Sequence, residues 1–469
     1  MLKVLLGCAS LALPSLSYAS SSSQNFTNQP VGFIVLAIFI FSYICVIFEE
    51  QTHIKKSLPV MLGAGLIWIV IAVNWHGDTH AVEEAVKHYL LEYAELLLFL
   101  LAAMTYVNAL SERGIFEGLR VWLIGKGFNY RTLFWLTGFC AFFLSPVLDN
   151  LTTALVLCAV LLAVGKDNPK FVSLGAINIV VAANAGGAFS PFGDITTLMV
   201  WQKGLVEFGK FFALFLPSLV NFVVPALCMS FAISTQVPPA TKEKSPLKRG
   251  AWVVLGLFMV TISMAVSFHS FLNLPPFLGM MTGLALLKFY GYYLSKSHKQ
   301  QDTDTPHYGQ MGDIAAFDSF KFVAQAEWDT LLFFFGVIMC VGGLGFVGYL
   351  ELASHLLYND LGATTANILI GMLSAVVDNI PIMVAVLQMQ PQMDTGQWLL
   401  VTLTAGVGGS LLSVGSAAGV AGRAGGRGDG VCGGAGRVRR GDHVRRQCRR
   451  QDRDAAAGNQ CGAQFTGAG

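Results

Sequence analysis

Charge is the scarcest resource in this 469-residue chain. Asp, Glu, Lys and Arg make up 12% of it, against 54% hydrophobic residues and a mean hydropathy of +0.59. A soluble domain carries roughly 25% charge. The deficit excludes an ordinary water-soluble globule and points to an integral membrane protein with many helical spans. Cysteine chemistry is also missing. Cys45, Cys140, Cys158, Cys228 and Cys340 fall in apolar runs, where cysteine serves as a small core residue. There is no CxxC pair and no Cys/His spacing suited to a metal.

Leucine, isoleucine and lysine vanish after residue 421, and 13 of the last 48 residues are glycine. That tail holds 10 Arg and 4 Asp, which distorts the formal net charge of +2. Without it the chain has 20 basic and 24 acidic side chains, a balance of −4. No nucleic-acid surface survives that subtraction. Residues 422–469 neither bury a core nor span a membrane. A basic tail on the inner membrane surface is one reading. A shifted reading frame in GC-rich coding sequence accounts better for the Arg, Gly and Ala. Arg423–Gly469 are therefore expected to carry no function.

At the other end, MLKVLLGCASLALPSLSYAS places one lysine before a short apolar core, with small residues at Ser17 and Ala19. A cleaved signal peptide over 1–19 is expected. Apolar runs follow at 31–48, 58–75, 91–110, 132–147, 150–165, 171–200, 211–233, 251–269, 276–293, 330–349, 363–377, 380–390 and 398–421. A crossing helix needs about 20 residues, and the runs that are too short flank two Asp-Asn pairs. The ranges 132–165 and 363–390 therefore read as re-entrant hairpins, with Asp149 and Asp378 at their tips. Irregular backbone at that depth must be buried in protein or line a wet cavity. Lys and Arg cluster at 55–56, 113–131, 166–170 and 242–249, which become the inside loops. The loops at 76–90, 270–275 and 350–362 become the outside ones. That count closes only if the first hairpin opens to the inside and the second to the outside, as in an inverted repeat. The segment 79–92 reads as an amphipathic outer helix whose His80 and His88 suit a pH sensor or a plain solvated surface.

The duplication is visible in three ordered blocks. ELLLFLLAAM from Glu95 matches DTLLFFFGVI from Asp329, LDNLTT matches VDNIPI, and GGAFSPFGD from Gly186 matches GGSLLSVGS from Gly408. The offsets are 234, 229 and 222 residues. The expected fold is an all-α polytopic membrane protein with two inverted-topology repeats, each with a re-entrant helical hairpin and a Gly-rich interrupted helix. Its parts are peripheral helices at 31–75, a first transport repeat at 76–235 and a cytoplasmic loop at 236–250. Helices at 251–293, a cytoplasmic linker at 294–328 and an incomplete second repeat at 329–421 follow. The second repeat lacks a counterpart of the span at 211–233.

Acids at membrane depth are costly and mark function. An ionised carboxylate and an amide oxygen are hard ligands suited to a small hard cation. Burial favours the neutral carboxyl, so one site holds either sodium or a proton. The candidates are Asp149, Asn150, Thr152 and Thr153 at the first tip, and Asp378 and Asn379 at the second. The interrupted helices add Asn184, Asp194, Thr196 and Thr197, then Ser413 and Ser416. Glu95 and Asp329, each at a span start, suit a proton relay or a solvated end charge. Asp149 and Asp378 as buried hairpin caps, and the serines as close-packing residues, are the structural alternatives.

These motifs, SPVLDNLTTALV, NAGGAFSPFGDITTLMVWQKG, SAVVDNIPIM and GVGGSLLSVGSAAGVA, resemble the NhaD-type sodium/proton antiporters of the ion-transporter superfamily over residues 30–421. The resemblance implies a bacterial inner-membrane antiporter expelling Na⁺ or Li⁺ for entering protons, with no cofactor and no enzymatic activity. It implies a homodimer in the lipid bilayer, while Na⁺ held at Asp149, Asp194 and Asp378 is the reading of the residues themselves. An anion or arsenite permease of the same superfamily is the near alternative. Dicarboxylate carriers of that group would show Ser-Asn-Thr at the tips. A distant one is an intramembrane aspartyl protease pairing Asp149 with Asp194. Removing Asp378 separates these readings: in vesicle and proteolysis assays an antiporter loses exchange, whereas a protease keeps its cleavage.

Overall fold

The computed structural model describes residues 26–165, 168–237, 247–299, 319–375 and 377–408, and among these it is helical with no strand. The leader at 1–19 and the tail from 422 lie outside the described residues. In chain order the helices are α1 Pro30–Ile47, α2 Ser57–Asn74, α3 Thr79–Glu112, α4 Ile115–Gly125, α5 Tyr130–Leu144, α6 Asn150–Val164, α7 Pro169–Gly187 and α8 Ile195–Gln202. Then come α9 Phe215–Ser230, α10 Ala251–Leu272, α11 Pro276–Lys299, α12 Trp328–Val347, α13 Ala363–Ser374, α14 Asn379–Met389 and α15 Thr395–Gly408. Among the described residues, seven helices are long and apolar enough to cross a membrane. α5, α6, α13 and α14 are shorter, as the run lengths around the two Asp-Asn pairs predict.

Two expectations need correction. The segment 79–92 is not a separate surface helix. It continues without a break into α3, which has 34 residues. Neither Gly nor Pro interrupts 79–112, so nothing stops the helix. At 1.5 Å per residue it is about 50 Å long, more than the roughly 30 Å hydrocarbon layer. Its first turns therefore stand in water, where Glu83 pairs with Lys87 at 2.6 Å and His88 with Glu92 at 3.0 Å. Glu95 lies within α3, past the turns that stand in water. Second, the loop at 350–362 is largely helical, over Tyr349–Ser354 and His355–Asp360. The linker at 294–328 likewise carries the end of α11 and a helical turn at Ser319–Ala324.

The chain forms two compact units. One takes residues up to Leu97 with Glu327–Gly362 and Val384–Gln392; the other takes Leu98–Ala326, Ala363–Met383 and the residues from Met393 on. In the first unit α2 packs along α12. Lipid tails are as apolar as Leu, so membrane helices associate through close packing and hydrogen bonds. A Cβ on Gly343 would overlap Ile67, and one on Gly336 would sit 2.6 Å from Val60 Cγ2. Trp68 Nε1 donates to the Met339 carbonyl at 3.0 Å.

In the second unit α10 and α11 form a hairpin held by the same means. Gly279 and Gly283 lie one turn apart on α11. A Cβ on Gly279 would come 2.5 Å from Ala265 Cα, and one on Gly283 would overlap Thr261. Tyr106 Oη from α3 donates to the Gly283 carbonyl at 2.6 Å and accepts from Thr261 Oγ1 at 2.9 Å. Gly283→Val is expected to cost about 1–3 kcal/mol through overpacking. The check is a lower unfolding temperature and a smaller monodisperse fraction in detergent, with Gly256→Val, which faces open space, as the neutral comparison.

Candidate ion-binding site

Two of the candidate acids begin helices in the second unit. A helix start leaves backbone N–H groups without partners, and Asp is a preferred residue for accepting from them. Asp149 precedes α6: its Oδ1 accepts from the Thr152 N–H at 2.8 Å and its Oδ2 from Thr152 Oγ1 at 2.6 Å. The hairpin-cap alternative is thus realised in its geometry. Asp194 precedes α8, and its Oδ1 accepts from the Thr196 N–H at 3.0 Å. The two differ in depth. Asp149 is half-buried, whereas Asp194 is 5% exposed and is the one buried acid among the described residues.

The interruption between α7 and α8 lets other backbones reach Asp194. A Cβ on Gly187 would overlap Asn150 Oδ1, and one on Gly193 would sit 2.6 Å from the Ser145 carbonyl oxygen. The absence of side chains there admits the hairpin tip. Asn150 Nδ2 then donates to Asp194 Oδ2 at 3.3 Å, while Asn150 Oδ1 accepts from Ser145 Oγ at 2.6 Å. The break itself is laced together. Ser190 Oγ donates to the Pro146 carbonyl at 2.8 Å, and Thr197 Oγ1 lies 2.9 Å from the Ser190 carbonyl and 2.7 Å from that of Asp194.

The other half of the chain reaches the same carboxylate. α15 passes so close that a Cβ on Gly406 would sit 2.6 Å from Asp194 Oδ2 and 3.5 Å from Thr196 Oγ1. At 3.6 residues per turn, Thr404 and Gly408 share the opposite face. That face abuts α13: a Cβ on Gly371 would lie 2.5 Å from Thr404 Cβ, and Ser374 Oγ donates to the Ala405 carbonyl at 2.7 Å. Asp378 precedes α14 as Asp149 precedes α6, and its charge is near enough to act on Asp194.

Asn150, Asp194 and Thr196 therefore come together, with Asp378 in electrostatic reach. Thr152 is committed to Asp149, and Thr197 braces carbonyls of the break. Thr153 is buried, and its hydroxyl finds no hydrogen-bond partner among the described residues. Asn184 is buried in the last turns of α7, and Asn379 is buried at the start of α14. Ser413 and Ser416 lie outside the described residues. Glu95 and Asp329 belong to the first unit. There Ser57 Oγ donates to Asp329, tying the starts of α2 and α12 together.

Three contributors escaped the sequence reading. Ser145 and Ser374 open the two hairpin motifs at the same offset of 229 residues as the Asp-Asn pairs, a signal that was available. Gly406 sits in a glycine-rich run that reads as helix packing.

Paired short helices, an interrupted helix and a buried acid where they meet define a secondary membrane transporter. The profile of the citrate transporter family matches residues 43–406. The Na⁺/H⁺ antiporter NhaD of Vibrio cholerae is 55% identical over 421 residues, covering 87% of this chain and 88% of the relative. That of Halomonas elongata is 54% identical over 429 residues, covering 88% and 87%. Sodium/proton antiporter 1 of Arabidopsis thaliana is 32% identical over 408 residues, covering 84% and 67%. The chain belongs to the citrate transporter family and, within it, to the NhaD-type sodium/proton antiporters.

The bracing role of Thr197 has a direct check. Thr197→Val removes the hydroxyl from the two carbonyls and is expected to cost about 1 kcal/mol. It should lower the unfolding temperature while leaving the apparent sodium affinity of the remaining folded protein unchanged. Thr197→Ser should restore the loss.

Proposed function

We propose that this protein is a multi-pass antiporter of the bacterial inner membrane that exchanges cytoplasmic Na⁺, and Li⁺, for external protons, and that Asp194 is the centre of its ion site. The observation that carries the reading is a buried carboxylate touched by both halves of the chain. Taking an isolated charge out of water is prohibitively costly, so such a group needs a bound cation or a proton. Sodium and protons compete for it, and competition at one site is sufficient for exchange. Asp149, Asn150, Thr152, Thr153 and Asn184 supply further hard oxygens from the first half, and Asp378 and Asn379 from the second. Hard oxygen ligands of this kind suit an alkali cation rather than an anion. The relatives at 54–55% identity are named for sodium/proton exchange, which weighs against citrate or arsenite as cargo.

In the cycle, Na⁺ from the cytoplasm displaces protons from Asp194 and the tip acids. The transport repeats then change which side the site faces, and protons reload it. More than one titrating acid permits unequal charge exchange driven by the membrane potential. A homodimer in the bilayer is the assembly implied by the family resemblance.

The test uses everted membrane vesicles with an imposed pH gradient. NaCl and LiCl should collapse the gradient, and KCl, citrate and arsenite should not. Asp194→Asn, Asp149→Asn and Asp378→Asn should each lower the rate by about tenfold or more, a barrier increase of about 1.4 kcal/mol. Because protons compete with sodium, the apparent KM for Na⁺ should rise as pH falls. A response to citrate or arsenite alone would overturn the proposal. So would silence towards every salt with the protein present in the membrane.

A further inference from the structure

Ser190 stands in the break between α7 and α8, and every polar group it carries has a partner. Pro191 behind it disfavours helical backbone, so α7 does not run on through it. Its N–H donates to the Gly187 carbonyl at 3.2 Å, and its own carbonyl accepts from the Gly193 N–H at 3.1 Å and from Thr197 Oγ1 at 2.9 Å. The side chain is buried. Its Oγ accepts from the Phe192 N–H at 3.3 Å and donates to the Pro146 carbonyl at 2.8 Å. A hydroxyl has one proton to give. With Phe192 on its acceptor side, that proton goes to Pro146.

Pro146 belongs to the tip of the α5–α6 hairpin. α5 ends at Leu144, so the carbonyls that follow need partners from outside that helix. The same tip carries Asn150, whose Oδ1 is held by Ser145 Oγ at 2.6 Å and whose Nδ2 reaches Asp194 Oδ2 at 3.3 Å. That last contact is long for an N–H···O bond, and a small shift of the tip breaks it. The Ser190 bond is the shorter link between the same two segments. In the matching run of the second half, GGSLLSVGS, Leu412 takes the place of Ser190 and Ser416 that of Asp194. The hydroxyl and the acid occur together in the first half, and neither recurs at its place in the second.

We propose that Ser190 is a positioning residue of the exchange: its bond to the Pro146 carbonyl holds the hairpin tip where Asn150 donates to Asp194. This inference rests on the sodium/proton reading of Asp194 and adds to it a residue that acts through Asn150. A donor on a carboxylate favours the charged form, which is the form that takes a metal cation. A carboxylate that loses a donor holds its proton more firmly. Ser190 therefore sets the balance between sodium and protons at Asp194 while touching neither. Without its hydroxyl, protons win at a pH where the unmodified protein still takes sodium.

Ser190→Ala tests this in everted vesicles made from the full-length chain, with protein amount measured by immunoblot and exchange followed across a pH series. Near neutral pH the apparent KM for Na⁺ should rise on the order of fivefold, the effect of one hydrogen bond. At alkaline pH few protons compete, so KM should return towards that of the unmodified chain with the maximal rate retained. Half-maximal exchange at fixed Na⁺ then moves to higher pH. Ser190→Thr keeps the hydroxyl and should restore the profile. Thr137→Val removes another buried hydroxyl of the same hairpin, one that donates to the Phe134 carbonyl within α5, and should leave the profile unchanged. If Ser190→Ala does not accumulate, Ser190→Cys, a weaker donor, supplies the reading through a smaller shift in the same direction. An unaltered KM at every pH, or a loss of the same size at every pH, would overturn the positioning role. Absence of exchange by the unmodified chain would instead overturn the sodium/proton reading itself, so the two failures are distinguishable.

Discussion

A carboxylate buried in protein must be compensated, and the second unit is arranged around that requirement at Asp194. The helix start of α8 supplies an N–H donor, and the tip of the α5–α6 hairpin supplies an amide. Gly406 brings the backbone of α15 alongside. The compensation is incomplete by design, since neutral donors lessen the cost of a buried charge without removing it. In the proposed exchange the remaining deficit is what a cation or a proton fills.

Close approach is the second constraint, and glycine is how the chain meets it. Gly187 and Gly193 admit the hairpin tip, Gly371 and Gly408 admit α15 to α13, and Gly279 and Gly283 lock α10 to α11. In a bilayer the apolar effect does not pull helices together, so backbone-to-backbone contact has to do more of the binding. The same residue type recurs wherever a backbone makes a close approach, beside Asp194 as well as along the scaffold helices.

Much of this was legible in the sequence. Short apolar runs around Asp149 and Asp378 marked the paired helices, and Gly-Gly with Pro191 and Gly193 marked the interruption that ends in Asp194. What stayed hidden has physical causes. α3 was divided in two because its amphipathic first turns and its apolar remainder have different composition. A helix needs only freedom from breakers to continue. The polarity of 350–362 suggested a loop, although helices tolerate polar faces in water. Thr196 and Thr197 are adjacent and chemically identical, so the carbonyl contacts of Thr197 were visible only once the break had a shape. Gly406 has no side chain to carry a signal at all.

Asp149 and Asp194 both hold the first turn of a helix, and both belong to the proposed ion site. A carboxylate accepts backbone N–H groups best when charged, so a proton placed on either oxygen pair loosens the turn it holds, whereas a metal cation leaves the charge in place. Cargo and latch are then the same atoms. The sodium-loaded and proton-loaded forms differ in local stiffness before any larger movement begins, and the helix ends register which of the two ions is aboard.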